Sequence, residues 1–65
     1  MSNIRVSDVI DFYTHTYRTV WAVLIDDVVY DPNDIPLSEL RKDVDYTCVY
    51  ELSFDVARID IHTKS

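Results

Sequence analysis

The chain has 65 residues, a formal net charge of −6, no glycine and one cysteine. That length gives one domain with a small core, and six basic residues against twelve acidic ones give no stripe for gripping phosphates, so direct nucleic-acid binding is not expected. Cys48 alone excludes an intramolecular disulfide and reads as a small core residue in an apolar strand pattern. The longest apolar run, Val20 to Ile25, is too short to span a bilayer, and Met-Ser-Asn-Ile-Arg is not expected to open a signal peptide. A cytoplasmic location follows as an expectation.

In chain order, Ser7 suits a helix N-cap, with Asp8 in the first turn where the dipole favours an acid. Val6, Val9, Ile10 and Tyr13 recur at helical spacing and predict a helix over about Ser7 to Tyr13; Thr14, His15 and Thr16 weaken the pattern. Thr19 to Ile25 reads as a strand, nearly all apolar and so covered on both faces. Asp26-Asp27 forms a turn, and Val28 to Tyr30 returns as a short strand. With no glycine present, Asp and Asn must take any left-handed turn positions.

Asp31 to Asp34 is an acidic loop. Pro36 suits the first position of a short helix that Arg41, Lys42 and Asp43 close, with Leu37, Leu40 and Val44 as its apolar stripe. Val44 to His62 then reads as two strand runs around a break at Leu52 to Asp55. Ala57, Ile59 and Ile61 alternate with Val56, Arg58, Asp60 and His62, the period of a strand with one buried face. The last residues, His62 to Ser65, are expected to fray. The whole chain, residues 1–65, is expected to form a single α+β domain: a small antiparallel sheet of three to four strands, an N-terminal helix and a short second helix.

Catalysis is not expected, because no nucleophile motif, phosphate loop or dinucleotide fingerprint is present. Asp26, Asp27, Asp31, Asn33 and Asp34 lack the central glycine and closing Glu of a calcium loop, so no metal is expected, and no cofactor either. His15 and His62 read as surface or strand-edge residues. The acids carry two readings. The plain one is a solvated face that keeps a small protein soluble. The functional one is a row of carboxylates at Asp26, Asp27, Asp31, Asp34, Asp43 and Asp45 that imitates a phosphate backbone and occupies a basic groove. Eight aromatics are many for this length. Trp21 and Tyr30 stand out as partner-binding candidates beside the acids, with Tyr13, Tyr17, Tyr46 and Tyr50 behind them.

Val28-Val29-Tyr30, Asp34-Ile35-Pro36, Leu40, Val44 and Asp55-Val56-Ala57-Arg58-Ile59-Asp60-Ile61, after the amphipathic start Val6-Ser7-Asp8-Val9-Ile10, form a pattern. It resembles the short, uncharacterised proteins of phages and prophages of Gram-positive bacteria. The glycines usual in that pattern are replaced here by Asp26-Asp27 and Asp31-Pro32. Size, acidity and the Leu37-Ser38-Glu39-Leu40 helix before a closing hairpin give a looser likeness to the uracil-DNA glycosylase inhibitors of Bacillus phages. Together these likenesses imply a phage accessory protein that inhibits a host protein with a basic surface, either a nucleic-acid enzyme or an antiviral defence effector. The alternatives are a homo-oligomer-forming accessory protein and a small-molecule sponge that holds a nucleotide between subunits.

Overall fold

The computed structural model describes residues 3–64. The elements are α1 (Val6–Thr16), β1 (Thr19–Ile25), β2 (Val28–Tyr30), α2 (Leu37–Leu40), β3 (Val44–Ser53) and β4 (Val56–Thr63). The strands form one sheet in the order β2-β1-β4-β3. The α+β class and both hairpins are as the sequence predicts.

The pairing departs from the all-antiparallel expectation at the centre. β1 pairs with β2, and β3 with β4, antiparallel, but β1 and β4 run parallel. The connection from residue 31 to 43 is the reason. It carries the chain back to the end of the sheet where β2 began, so β3 enters opposite in sense to β1 and its return strand β4 runs parallel to β1. Two hairpins thus lie side by side and meet through their most aliphatic strands.

α1 lies on one face. Val6, Val9 and Ile10 pack with Val23 and Ile25 of β1 and Ile59 and Ile61 of β4, and Tyr13, Val20, Tyr30, Ile35, Leu40 and Val44 close the margin. Ala57, Ile59 and Ile61 are fully buried, the face their alternation predicts.

The helix starts earlier and ends later than its apolar spacing suggests. The cap position is Arg5, not Ser7: the Asp8 carboxylate accepts the Arg5 N–H at 3.0 Å, and the Val6 N–H donates to the Lys42 carbonyl at 3.0 Å. At the other end Thr14 and Thr16 donate their hydroxyls to the Asp11 and Phe12 carbonyls, and His15 Nδ1 donates to the Asp11 carbonyl. Side chains that compete with helix elsewhere here turn back onto it.

Other expectations are corrected. α2 is a single turn with Pro36 at its cap, and Leu37 is exposed, so the apolar stripe there reduces to Leu40 and Val44. Cys48 is exposed, because it lies on an edge strand and points away from the helices. His62 and Thr63 belong to β4 rather than fraying, since Tyr46 and Asp26 hold them; Ser65 lies outside the described residues. The break between the last strands shrinks to Phe54-Asp55. β1 is interior to the sheet but not covered on both faces: Trp21, at an irregularity in the β1–β4 register, is 47% exposed.

Candidate functional site

Both helices sit on the same side, since α1 and the residues Ile35 and Leu40 flanking and closing α2 share one core. Among the described residues nothing covers the opposite face. Strand alternation sends there Val56, Arg58, Asp60 and His62 of β4, together with their neighbours on β3. The register sets Tyr46 beside His62, Cys48 beside Asp60 and Tyr50 beside Arg58. Leu24 and Val29 extend the same face across β1 and β2.

These pairs are ordered contacts. The rings of Tyr46 and His62 stack with centroids 4.4 Å apart and planes 13° from parallel. The Arg58 guanidinium lies 4.5 Å from the centre of the Tyr50 ring. Its Nε also donates to the Asp60 carboxylate at 3.0 Å. Arg58 therefore has its charge answered within the sheet, while both tyrosine rings remain about half exposed. The result is a platform of planar groups in fixed orientations, with an uncharged balance at its centre.

The predicted acids do not form one row. Asp26, Asp27, Asp43 and Asp45 gather at the end of the sheet where β1 and β4 finish and β3 begins. Asp31 and its turn partner Asn33, with Asp34, belong to the loop beyond β2, where Pro32 and Asn33 share a depression with Arg18, Thr19 and Val20. Several of the acids also have structural partners. Asp26 takes the Thr63 backbone N–H at 3.0 Å and the Thr63 hydroxyl. Those two bonds, the hydroxyl first, hold its carboxyl below the usual carboxylate range. Asp31 accepts the Asn33 N–H at 2.8 Å, closing a local turn. Asp43 accepts from the Asn3 amide. Asp27, Asp34 and Asp45 are exposed. Lys42 and Lys64 line the same depression as Asp26 and Asp43, so the field at that end is mixed.

Of the aromatic candidates, Tyr30 is half-buried against the core and Trp21 is half exposed. Sequence reasoning gave Arg58, Asp60 and His62 no role and held Tyr46 and Tyr50 only in reserve. A signal existed: Tyr46, Cys48 and Tyr50 alternate, and so do the three polar residues of β4 that oppose them. Among the described residues, no group of three or more His, Cys, Asp or Glu side chains is placed to hold a metal ion, and no helix is long and apolar enough to cross a membrane.

A second apolar feature borders the platform strand on its other side. Ile4, Val9, Phe12 and Tyr13 of the N-terminal segment and α1, with Thr47 of β3, line a groove of about 420 Å³. Ile4 and Phe12 are 59% and 64% exposed.

No family model, curated protein or solved structure matches the chain.

Proposed function

We propose that this chain is a non-catalytic binding protein of the phage-accessory kind, which inhibits a host protein by docking onto it. The observation that carries the reading is the uncovered sheet face, where Tyr46 and Tyr50 are held half exposed by His62 and Arg58. Aromatic side chains already fixed in place lose little freedom on association, which leaves more of their contact energy as affinity. Exposed tyrosines also supply both apolar area and a hydroxyl, the combination that dominates binding hot spots.

The platform could stack nucleobases equally well in shape. Charge argues against that occupant. Arg58 is the cation nearest the rings, and Asp60 already answers it; the chain as a whole carries −6. A protein with a basic surface suits the face better, since a guanidinium lies flat on a tyrosine ring. The acids at both ends of the sheet then act at a distance, raising the encounter rate with such a surface, rather than reproducing the spacing of phosphates.

The test compares the chain with a Tyr46→Ser, Tyr50→Ser double variant in capture from a Gram-positive host lysate. A protein retained by the first and lost with the second, while both melt at similar temperatures, supports the reading. Equal retention by both removes the platform from the mechanism.

A further inference from the structure

Resting on that reading, we infer that the outer edge of β3 is a strand-addition site for an extended partner segment in which apolar residues alternate with Lys or Arg. The two edges of the sheet are unlike. β2 has three residues and runs at once into Asp31-Pro32. A short strand followed by proline offers little to pair with. β3 has ten residues, and none of them is Pro or Lys, the residues that usually guard an edge. Between the irregularities at Val44/Tyr46 and Glu51/Ser53, every second residue of β3 turns its N–H and C=O away from β4.

The same edge already takes a strand at its start. Arg5 forms an antiparallel bridge with Asp43, and the Val44 N–H donates to the Ile4 carbonyl at 2.8 Å. Among the described residues nothing continues that ladder from Tyr46 to Ser53, a length of roughly 23 Å at the usual rise per residue. A row of unanswered backbone groups selects an extended chain over a helix.

The groove next to this edge supplies side-chain selectivity. Ile4, Phe12 and Tyr13 overhang the helix side of β3 at Thr47. In an added strand, alternate side chains point to that side, so alternate positions must be apolar. The charged surroundings are acidic: Asp45 and Glu51 lie on β3, and Asp8 and Asp11 lie on α1 beside Phe12. β3 itself carries no base. A second copy would bring the same acids against these. The remaining positions of an added strand point to the other face, beside Tyr46, Cys48 and Tyr50, where Lys or Arg meets tyrosine ring faces and is drawn in by the chain's net charge of −6.

The experiment follows the backbone amides of the isotope-labelled chain by NMR. The probe is a capped synthetic peptide of alternating Val and Lys. A second probe of the same sequence is N-methylated at every other residue on the pairing side. The first peptide should shift and protect the amides from Tyr46 to Ser53, bind more weakly as salt is raised, and lose about tenfold in affinity to Phe12→Ser, the loss of one anchor. The methylated peptide should not bind. Equal binding of both peptides, or shifts confined to residues away from β3, would overturn the inference. So would a chain that self-associates with its β3 amides already protected. None of these outcomes touches the Tyr46, Tyr50 comparison in host lysate, so the edge and the platform stand or fall separately.

Discussion

Among the described residues of this glycine-free chain, three have left-handed backbone: Asp26 at φ 49°, Asp27 at φ 69° and Asp55 at φ 62°. The first two form the tip of the β1–β2 hairpin, the third the tip of β3–β4. A Cβ in this region crowds the following carbonyl, at roughly 1–2 kcal/mol, a penalty that Asp partly recovers through its short polar side chain. Glycine removes the crowding but adds about 0.5–1 kcal/mol of unfolded-state entropy. Asp27→Gly and Asp55→Gly should therefore each stabilise by roughly 0.5 kcal/mol, or about 2–4 °C in a domain of this size. Asp26→Gly relieves the same crowding but deletes both bonds to Thr63. At an exposed site each is worth the lower end of roughly 0.5–1.5 kcal/mol, so the net effect should be a loss of about 0.5–1 kcal/mol. Thermal melts followed by circular dichroism, with urea titrations to confirm the free energies, separate the three variants. If Asp26→Gly raises Tm as much as Asp27→Gly, the Thr63 bonds contribute nothing. If Asp27→Gly lowers Tm, the left-handed hairpin tip is refuted.

Further outcomes can be checked on the same material. Ile59→Ala, at a fully buried position, should destabilise by about 2–5 kcal/mol in a domain whose total is only about 3–10 kcal/mol. Trp21→Ala, with about half its surface already in water, should lose only about 1–2 kcal/mol; a loss like that of Ile59 in urea titration would place the indole in the core. Because the Asp26 carboxyl titrates lower when folded than unfolded, its stabilisation is present above the unfolded value and disappears as pH falls through the folded one. Asp26→Asn should accordingly flatten the acid side of the stability profile, and an unchanged profile in pH-dependent melts would count against the Thr63 contacts. Tyr17 donates to Glu51 at 2.8 Å, and that bond raises its pKa. In ultraviolet titration one tyrosine should ionise late, and Glu51→Gln should bring it back toward the ordinary range. Cys48 is exposed, so native and denatured chains should react with a maleimide at similar rates.

Most of the architecture was legible because a period of two survives any tertiary detail. Ala57, Ile59 and Ile61 announce their face, and Thr19–Ile25 and Val28–Tyr30 announce a hairpin around Asp26-Asp27. The parallel β1–β4 pairing was not legible, because nothing local encodes which strands of two hairpins meet. The length of α1 was missed because Thr14 and Thr16 lower helix propensity in isolation, whereas here their hydroxyls bond the preceding turn. The platform was missed for a different reason. Reading β4 for its buried face made Arg58, Asp60 and His62 look like solvent filler. Their importance comes from Tyr46 and Tyr50 on the neighbouring strand, and it becomes visible only when the register is known. The acids misled in the opposite way: ten aspartates in one short chain look like a surface, but several are spent on turns and strand ends.

The parallel seam between the hairpins has a consequence for how the chain reaches its native state. Each hairpin closes over a tight turn and can form within microseconds. The seam pairs Thr19 with Val56 at one end and Ile25 with Ile61 at the other, residues far apart along the chain, so its loop-closure entropy is incurred before Ile25 and Ile59 gain their burial. Docking of two preformed halves is then the slow event, and the 31–43 connection sets its rate, as a tether fixes the local concentration of the parts it joins. Lengthening that tether slows assembly while leaving each hairpin intact. Severing it turns folding into association between two fragments, with a rate that depends on their concentration.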